Sequence, residues 1–189
     1  MNIVLVGPHR VGKTTLAKEF AAENNNYQYF TLHVSDYFKK AKIDPSMPMD
    51  FETRLRVQFE LLTLAGQQYR EAISQTDKHL VCDRSPLDFL AYLLADVTMS
   101  SLDCLPALRS FEEEAIALHK EIFSYTVLIQ PGIKYVHEEA KGSPSKSYIF
   151  MLNYLYKGLL SKCRGSAFVM PSSPTSISYR MKLLNSFII

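Results

Sequence analysis

Cysteine is scarce in this sequence, and long apolar runs are missing. The three cysteines, Cys82, Cys104 and Cys163, lie far apart and form no Cys-x-x-Cys pair, so the pattern indicates neither a disulfide framework nor a zinc site. The apolar run at residues 2–6 is too short for a signal peptide, and no later stretch reaches the roughly 18 apolar residues of a membrane span. We therefore expect a cytoplasmic protein without a membrane partner.

The charge is close to balanced, because 21 basic and 19 acidic side chains leave a formal net charge of +2. Such a mild excess suits a phosphorylated substrate and falls short of the charge of an obligate nucleic-acid binder. No internal repeat or low-complexity tract is found in the 189 residues, of which 47% are hydrophobic. This length and composition predict a single domain, residues 1–189, with one sizeable core.

Short β-rich runs alternate with longer helical patterns along the chain. The patterns predict strands over residues 2–6, 27–33, 79–83, 125–129 and 166–170. They predict helices over residues 13–23, 51–74, 86–97 and 105–123, one that follows a polar loop (131–146) and ends near 162, and one over 175–187. This alternation is typical of the α/β class, so we expect a three-layer α/β/α fold with a five-stranded parallel sheet.

The stretch "GPHRVGKTT", residues 7–15, follows the first predicted strand and opens the first predicted helix. Glycines let successive backbone N–H groups turn toward a phosphate, and the helix N-terminus adds its positive dipole end. Lys13 would neutralise the β- and γ-phosphates of a nucleotide, and the Thr14 hydroxyl would ligate Mg²⁺. The candidate nucleotide-binding residues are Gly7, His9, Arg10, Val11, Gly12, Lys13, Thr14 and Thr15.

A second signal lies in "HLVCDRSPLDFLAYLL", residues 79–94, where an apolar strand ends in Asp83 and Arg84. A carboxylate at this strand end can hold Mg²⁺ directly or through water, although a solvated acid is the alternative. The guanidinium of Arg84 can clamp a phosphate with its planar fork. Asp88 fits better as an acid in the first turn of the next helix, with Ser85 as the N-cap.

Three stretches carry a resemblance to a known family: "GPHRVGKTTLA" (7–17), "DRSPLDFLAY" (83–92) and "AFVMPSSPT" (167–175). Through them the chain resembles the P-loop nucleoside and nucleotide kinase superfamily, on the branch of thymidylate kinase, deoxynucleoside kinases and the nicotinamide-riboside kinase type. The resemblance implies a P-loop NTPase fold, ATP with Mg²⁺, an acceptor-binding helical region at about 36–75 and a helical lid at about 131–147. By family position, Ser173 and Pro174 would line the adenine site.

The lid region departs from the family pattern. Lids in this superfamily often carry several arginines, whereas this one offers only lysines, namely Lys134, Lys141 and Lys146. Arg10, inside the phosphate-binding stretch, could supply positive charge beside the transferring phosphoryl group. A solvent-facing loop arginine is the equally favoured alternative.

The acceptor candidates depend on which kind of acceptor the protein uses, because a hydroxyl needs a base and a phosphate mainly needs cations. Asp36 occupies the position where nucleoside kinases of this superfamily place a carboxylate, and it equally fits a helix cap in "VSDYF". On the long helix that follows, Arg56 or Gln58 could read a base edge or hold a phosphate, unless they form a solvated polar face. Arg84 and Lys141 complete the candidate substrate-binding set.

These observations predict an ATP-dependent kinase of a nucleoside monophosphate or nucleoside, and the positive clamps favour the nucleotide. Two alternatives stay open. One is a kinase that phosphorylates a hydroxyl on nucleic acid, for which the basic C-terminal third is the argument. The other is a nucleotide-dependent regulatory ATPase. The sequence also leaves open a homodimer through the long helices.

Overall fold

The computed structural model describes residues 1–44, 47, 49–97, 105–133, 145–163 and 166–188. Five parallel strands form one sheet in the spatial order β2-β3-β1-β4-β5. The predicted five-stranded parallel sheet and α/β class are therefore confirmed. The strands are β1 Ile3–Val6, β2 Tyr27–Phe30, β3 His79–Cys82, β4 Tyr125–Ile129 and β5 Ser166–Met170.

The helices cover the two faces of the sheet and give the expected three layers. Side chains alternate along β1, so that Val4 and Val6 join one apolar cluster while Ile3 and Leu5 join the other. The first cluster packs beneath α3, α4, α5 and α6, and the second beneath α1 and α7. The helices are α1 Lys13–Glu23, α2 Val34–Ala41, α3 Phe51–Ser74, α4 Pro86–Val97, α5 Leu105–Ile122, α6 Lys146–Leu160 and α7 Ile177–Ile188.

Helix α2 is the one element that the sequence patterns did not predict. The chain leaves β2 at Phe30, three residues before the expected strand end, and α2 begins at Val34. Asp36 lies in the first turn of α2 and lysines lie in its last turn, which complements the helix dipole. Three of its side chains, Val34, Tyr37 and Phe38, pack against the larger apolar cluster.

The predicted lid at about 131–147 falls largely on residues 134–144, which are outside the described residues. Helix α6 begins at Lys146, and the Ser145 hydroxyl caps it by accepting a hydrogen bond from the Tyr148 N–H at 3.1 Å. Within the described ranges, no helix has both the length and the apolar character that crossing a bilayer requires.

Candidate active site

The candidate site lies at the carboxyl edge of the sheet, where the chain leaves β1 and β3. Because these two strands are parallel neighbours, the phosphate-binding stretch after β1 and Asp83 after β3 meet at the same edge. A pocket of about 830 Å³ opens there. Its lining includes His9, Arg10, Gly12, Lys13, Thr14, Thr15, Tyr29, Arg54, Gln58, Asp83, Arg84, Asp88, Tyr92, Asp96 and Tyr148.

Residues 7–14, called the phosphate loop below, need glycine at their start. Gly7 has φ of +138°, and a Cβ there would lie 2.5 Å from the Ile129 carbonyl oxygen at the end of β4. Gly12 has φ of +89° and directly precedes α1, which begins at Lys13 as predicted. The loop therefore combines left-handed backbone positions with a helix N-terminus, the arrangement that binds phosphate.

The Lys13 ammonium lies inside the phosphate loop. Its Nζ donates hydrogen bonds to the carbonyl oxygens of Gly7 at 2.6 Å and Pro8 at 2.8 Å. Burial lowers the pKa of Lys13, while the carboxylates Asp88 and Asp83 act in the opposite direction. The structure thus places this cation within the loop, at the N-terminus of α1 and in the lining of the pocket.

Two hydroxyls converge on Asp83, which is 6% exposed. The Thr14 hydroxyl donates to Asp83 Oδ2, and the Tyr29 hydroxyl donates to the same oxygen at 3.0 Å. Burial raises the pKa of Tyr29 to about 12, so this phenol stays protonated and remains a donor. The other oxygen, Oδ1, is buried and has no hydrogen-bond partner among the described residues.

Asp88 caps α4 as expected and also takes part in a contact that the sequence did not reveal. Its Oδ2 accepts from the Ser85 N–H at 2.6 Å, while the Ser85 hydroxyl accepts from the Leu87 N–H at 3.1 Å. Its Oδ1 accepts from the Tyr156 hydroxyl of α6 at 2.7 Å. Burial raises the pKa of Asp88, and the nearby Lys13 ammonium opposes that shift.

The far half of the pocket lies between α3 and α4. Arg54 Nη1 donates to Asp96 Oδ2 at 2.7 Å, and both side chains are about one-quarter exposed. One turn along α3, Gln58 presents a buried Oε1 that has no partner among the described residues. Such a buried acceptor favours a hydrogen-bond donor from outside the protein.

The His9 ring connects the phosphate loop to this half of the pocket. It stacks on the Tyr92 ring, with ring centroids 5.1 Å apart and planes 19° from parallel. Burial lowers the pKa of His9 to about 4, and the nearby cations, Lys13 first, add to the effect. His9 is therefore neutral at physiological pH, so it shapes the pocket without adding a charge.

A second cavity of about 670 Å³ adjoins the pocket and shares Val34, Phe38 and Arg84 with it. We call it the basic groove, because Lys39, Lys42 and Arg84 contribute three cations to its lining. The complete lining is Val34, Ser35, Phe38, Lys39, Lys42, Ile43, Asp44 and Arg84. Arg84 therefore lies where the groove meets the pocket.

Not every candidate from the sequence lies in the pocket. Asp36 is 70% exposed on α2, 3.9 Å from the Lys39 ammonium, and does not line the pocket. Arg56 lies on an exposed face of α3, 3.9 Å from Glu60. The loop after β5 that holds Ser173 and Pro174 is exposed and contributes nothing to the pocket lining.

The remaining candidates fall in two groups. Gly7 and Val11 are buried parts of the phosphate loop and do not line the pocket. Lys141 lies outside the described residues. The structure brings together the other candidates, namely His9, Arg10, Gly12, Lys13, Thr14, Thr15, Gln58, Asp83 and Arg84.

The polar side chains of the pocket that sequence reasoning missed include Tyr29, Arg54 and Asp96. Arg54 could have been found, because it lies four residues before Gln58 and residues with that spacing share one face of a helix. Tyr29 and Asp96 reach the pocket only through the packing of β2 and α4, and no local spacing marks them.

The fold and the site together define a P-loop nucleotide-binding protein of the α/β class. A family model described as AAA domain matches residues 2–127, and the chain belongs to this family. A comparison with curated proteins found no match.

Solved structures with the same architecture confirm the nucleoside and nucleotide kinase fold. A deoxyadenosine kinase from M. mycoides, solved with dCMP and dCDP bound, is 16% identical with a TM-score of 0.70, and the match covers 100% of this chain and 98% of that one. The same kinase with dATP bound is 14% identical with a TM-score of 0.66, over 100% and 99% of the two chains. A thymidylate kinase from Candida albicans is 12% identical with a TM-score of 0.72, over 98% and 89%.

Proposed function

We propose that the protein is an ATP-dependent kinase that transfers the γ-phosphoryl group to a nucleoside monophosphate. The observation that carries this proposal is the position of Arg84, which lines both the main pocket and the basic groove. An acceptor phosphate held there would be close to the phosphate loop. The nucleoside and nucleotide kinases of the same fold support the same reaction class.

The phosphate loop supports ATP as the donor. Lys13 would exchange its two carbonyl partners for the β- and γ-phosphates, and the backbone N–H groups at the start of α1 would bind the same oxygens. These groups are already in place, so they would stabilise the negative charge that develops on the transferring phosphoryl group. P-loop enzymes lower the activation barrier in this way.

The donor set beside the loop fits Mg²⁺. The Thr14 hydroxyl and the Asp83 carboxylate supply hard oxygen ligands, and Asp83 Oδ1 is buried and unpartnered among the described residues. When bound, the ion would neutralise part of the negative charge on the nucleotide phosphates. Tyr29 would keep Asp83 oriented through its hydrogen bond to Oδ2.

The carboxylates of the described pocket favour a phosphate acceptor over a hydroxyl. Asp36 lies outside the pocket, and both oxygens of Asp88 already accept hydrogen bonds. Asp96 is paired with Arg54. With Asp83 assigned to Mg²⁺, a hydroxyl acceptor would lack a ready base, whereas an anionic phosphate needs only cations such as those of the basic groove.

The nucleobase would occupy the far half of the pocket. Gln58 Oε1 offers an unsatisfied acceptor to an exocyclic amine or a ring N–H, and Tyr92 and Phe38 provide aromatic surface. Hydrogen bonding of this kind discriminates strongly between bases, because the wrong base leaves a buried polar group unpaired.

The test is ATP consumption in the presence of Mg²⁺ with a panel of nucleosides, nucleoside monophosphates, nicotinamide riboside and short DNA at two salt concentrations. We expect one nucleoside monophosphate to stimulate turnover and Lys13→Ala to abolish it. Replacing Lys39 and Lys42 together by Ala should raise the acceptor KM about tenfold or more, because two phosphate contacts are lost. Lys40→Ala, on the same helix but outside the groove lining, is the matched control.

Two results would contradict the proposal. Stimulation by a nucleoside alone, with the lysine double variant unaffected, would move the acceptor to a hydroxyl. ATP hydrolysis that no acceptor stimulates would favour a regulatory ATPase.

A second candidate is a kinase that phosphorylates a hydroxyl on nucleic acid, because the basic groove is open and would hold a backbone phosphate next to the pocket. Stimulation by DNA alone, weakening steeply with salt, would select this function.

A further inference from the structure

Arg180 of α7 reaches the rear of the phosphate loop from the far end of the chain. Although it is a charged residue, it is only 2% exposed. Its Nη1 donates a hydrogen bond of 2.7 Å to the carbonyl oxygen of Val11. The same nitrogen lies 3.4 Å from the point where a Cβ on Gly12 would be. The guanidinium therefore packs against the Val11–Gly12 peptide.

Structural stabilisation alone does not account for this arginine. Its Nε and Nη2 are buried and have no hydrogen-bond partner among the described residues, and no carboxylate within those ranges forms an ion pair with it. Burial lowers the pKa of Arg180, yet a guanidinium remains charged at physiological pH. A buried charge without a counter-ion destabilises the folded state, so its presence here points to an anion that arrives with a ligand.

The planar peptide bond connects Arg180 to the nucleotide side of the loop. In a trans peptide the C=O and the following N–H point in opposite directions. Because the Val11 carbonyl points toward Arg180, the Gly12 N–H points away from it, and Gly12 lines the main pocket. A charge-assisted hydrogen bond to the carbonyl also polarises that N–H and makes it a stronger donor.

We propose that Arg180 is a positioning residue for phosphate binding. It fixes the Val11–Gly12 peptide so that the Gly12 N–H can donate a hydrogen bond to the nucleotide phosphates. The negative charge of these phosphates balances the charge of the guanidinium. This role rests on the nucleotide-binding half of the proposed function and is independent of the acceptor. It acts through the loop backbone, so it applies equally to any ligand with a polyphosphate group.

The test measures equilibrium binding of ATP and of inorganic tripolyphosphate to wild type and to Arg180→Met. We expect Arg180→Met to weaken both ligands by the same factor, about tenfold or more, because one oriented donor is lost. Arg180→Lys retains the charge and should recover part of the loss for both ligands. Leu184→Ala is the matched control, because it opens the buried core beneath α7 and removes no polar group.

Three results would overturn the proposal. The first is a Kd of Arg180→Met within twofold of wild type, whatever happens to its Tm. The second is a loss for ATP that tripolyphosphate does not share, since this would place the effect on the base or ribose. The third is an equal loss of affinity in Leu184→Ala, which would mean that Arg180 only stabilises α7 in general. Failure of the wild-type protein to bind either ligand would instead overturn the proposed function.

Discussion

Replacing Gly7 by Ala tests whether the phosphate loop depends on backbone that only glycine adopts without strain. The residue has φ of +138°, which costs an alanine about 1–3 kcal/mol. The new Cβ would lie 2.5 Å from the Ile129 carbonyl oxygen, and neither atom is at the end of a flexible side chain. The loop and the end of β4 would have to separate by about 0.5 Å, at an overpacking cost of about 1–3 kcal/mol.

The expected result is a fall of about 2–6 kcal/mol in the free energy of unfolding, measured by urea denaturation. Because the displaced atoms form the loop itself, affinity for ATP should fall as well, measured on the fraction that remains folded. Gly158→Ala is the matched control, since no other group lies within 4 Å of a Cβ in that α6 position. Removing a helical glycine should raise stability by about 0.5–1 kcal/mol.

The reasoning would be refuted if Gly7→Ala unfolded within 0.5 kcal/mol of wild type, a margin of about the error of the method. It would also fail if stability dropped while ATP affinity stayed the same. That combination would mean that the loop adapts without altering its donors, and the close approach to β4 would then be structural only.

Two further predictions concern pH. Burial lowers the pKa of His119 to about 4, and its Nε2 pairs with the Thr126 hydroxyl at 2.8 Å, so stability present above pH 6.5 should be lost as the pH falls to 4. Between pH 6.5 and pH 4, the free energy of unfolding of His119→Gln, measured by urea denaturation, should fall by about 3 kcal/mol less than that of wild type. An equal fall in the two proteins would disprove this prediction. Asp88 has a raised pKa, so its contribution is lost as pH rises through the folded value, and the stability of Asp88→Asn relative to that of wild type should rise between pH 4 and pH 8. Asp88→Leu should lose about 2–6 kcal/mol, since two buried donors lose their acceptor, and equal stability of the Asn and Leu variants would contradict this.

Local patterns were sufficient for most of the fold. Helix α3 was predicted with both ends where the structure has them, because a long apolar stripe defines it locally; in the structure the Asp50 side chain caps it. Helix α2 was missed because an eight-residue helix is marginal by itself and depends on packing. The side chains that stabilise it, Val34, Tyr37 and Phe38, gain their burial from other parts of the chain.

The site features also divide into those that depend on neighbours in sequence and those that depend on distant parts of the chain. The glycine spacing and the strand ends were readable, since each depends on neighbours in sequence. Arg180 and Val11 are 169 positions apart, Tyr29 and Asp83 are 54 apart, and neither contact leaves a pattern in the sequence. Asp36 differs, because its sequence position suggested the site, whereas in the structure its side chain is 70% exposed on α2.

Most of the unsatisfied polar atoms belong to residues that the proposed complex uses. Among the described residues, six buried side-chain nitrogen or oxygen atoms have no hydrogen-bond partner, and four of them belong to Gln58, Asp83 and Arg180. Folded proteins satisfy nearly all such groups, because each one left unpaired costs free energy. In the proposed complex, Gln58 would lie at the base, Asp83 at the metal and Arg180 behind the phosphate loop. Binding of the base and of Mg²⁺ would supply partners to Gln58 and Asp83, and the phosphate charge would offset the charge of Arg180.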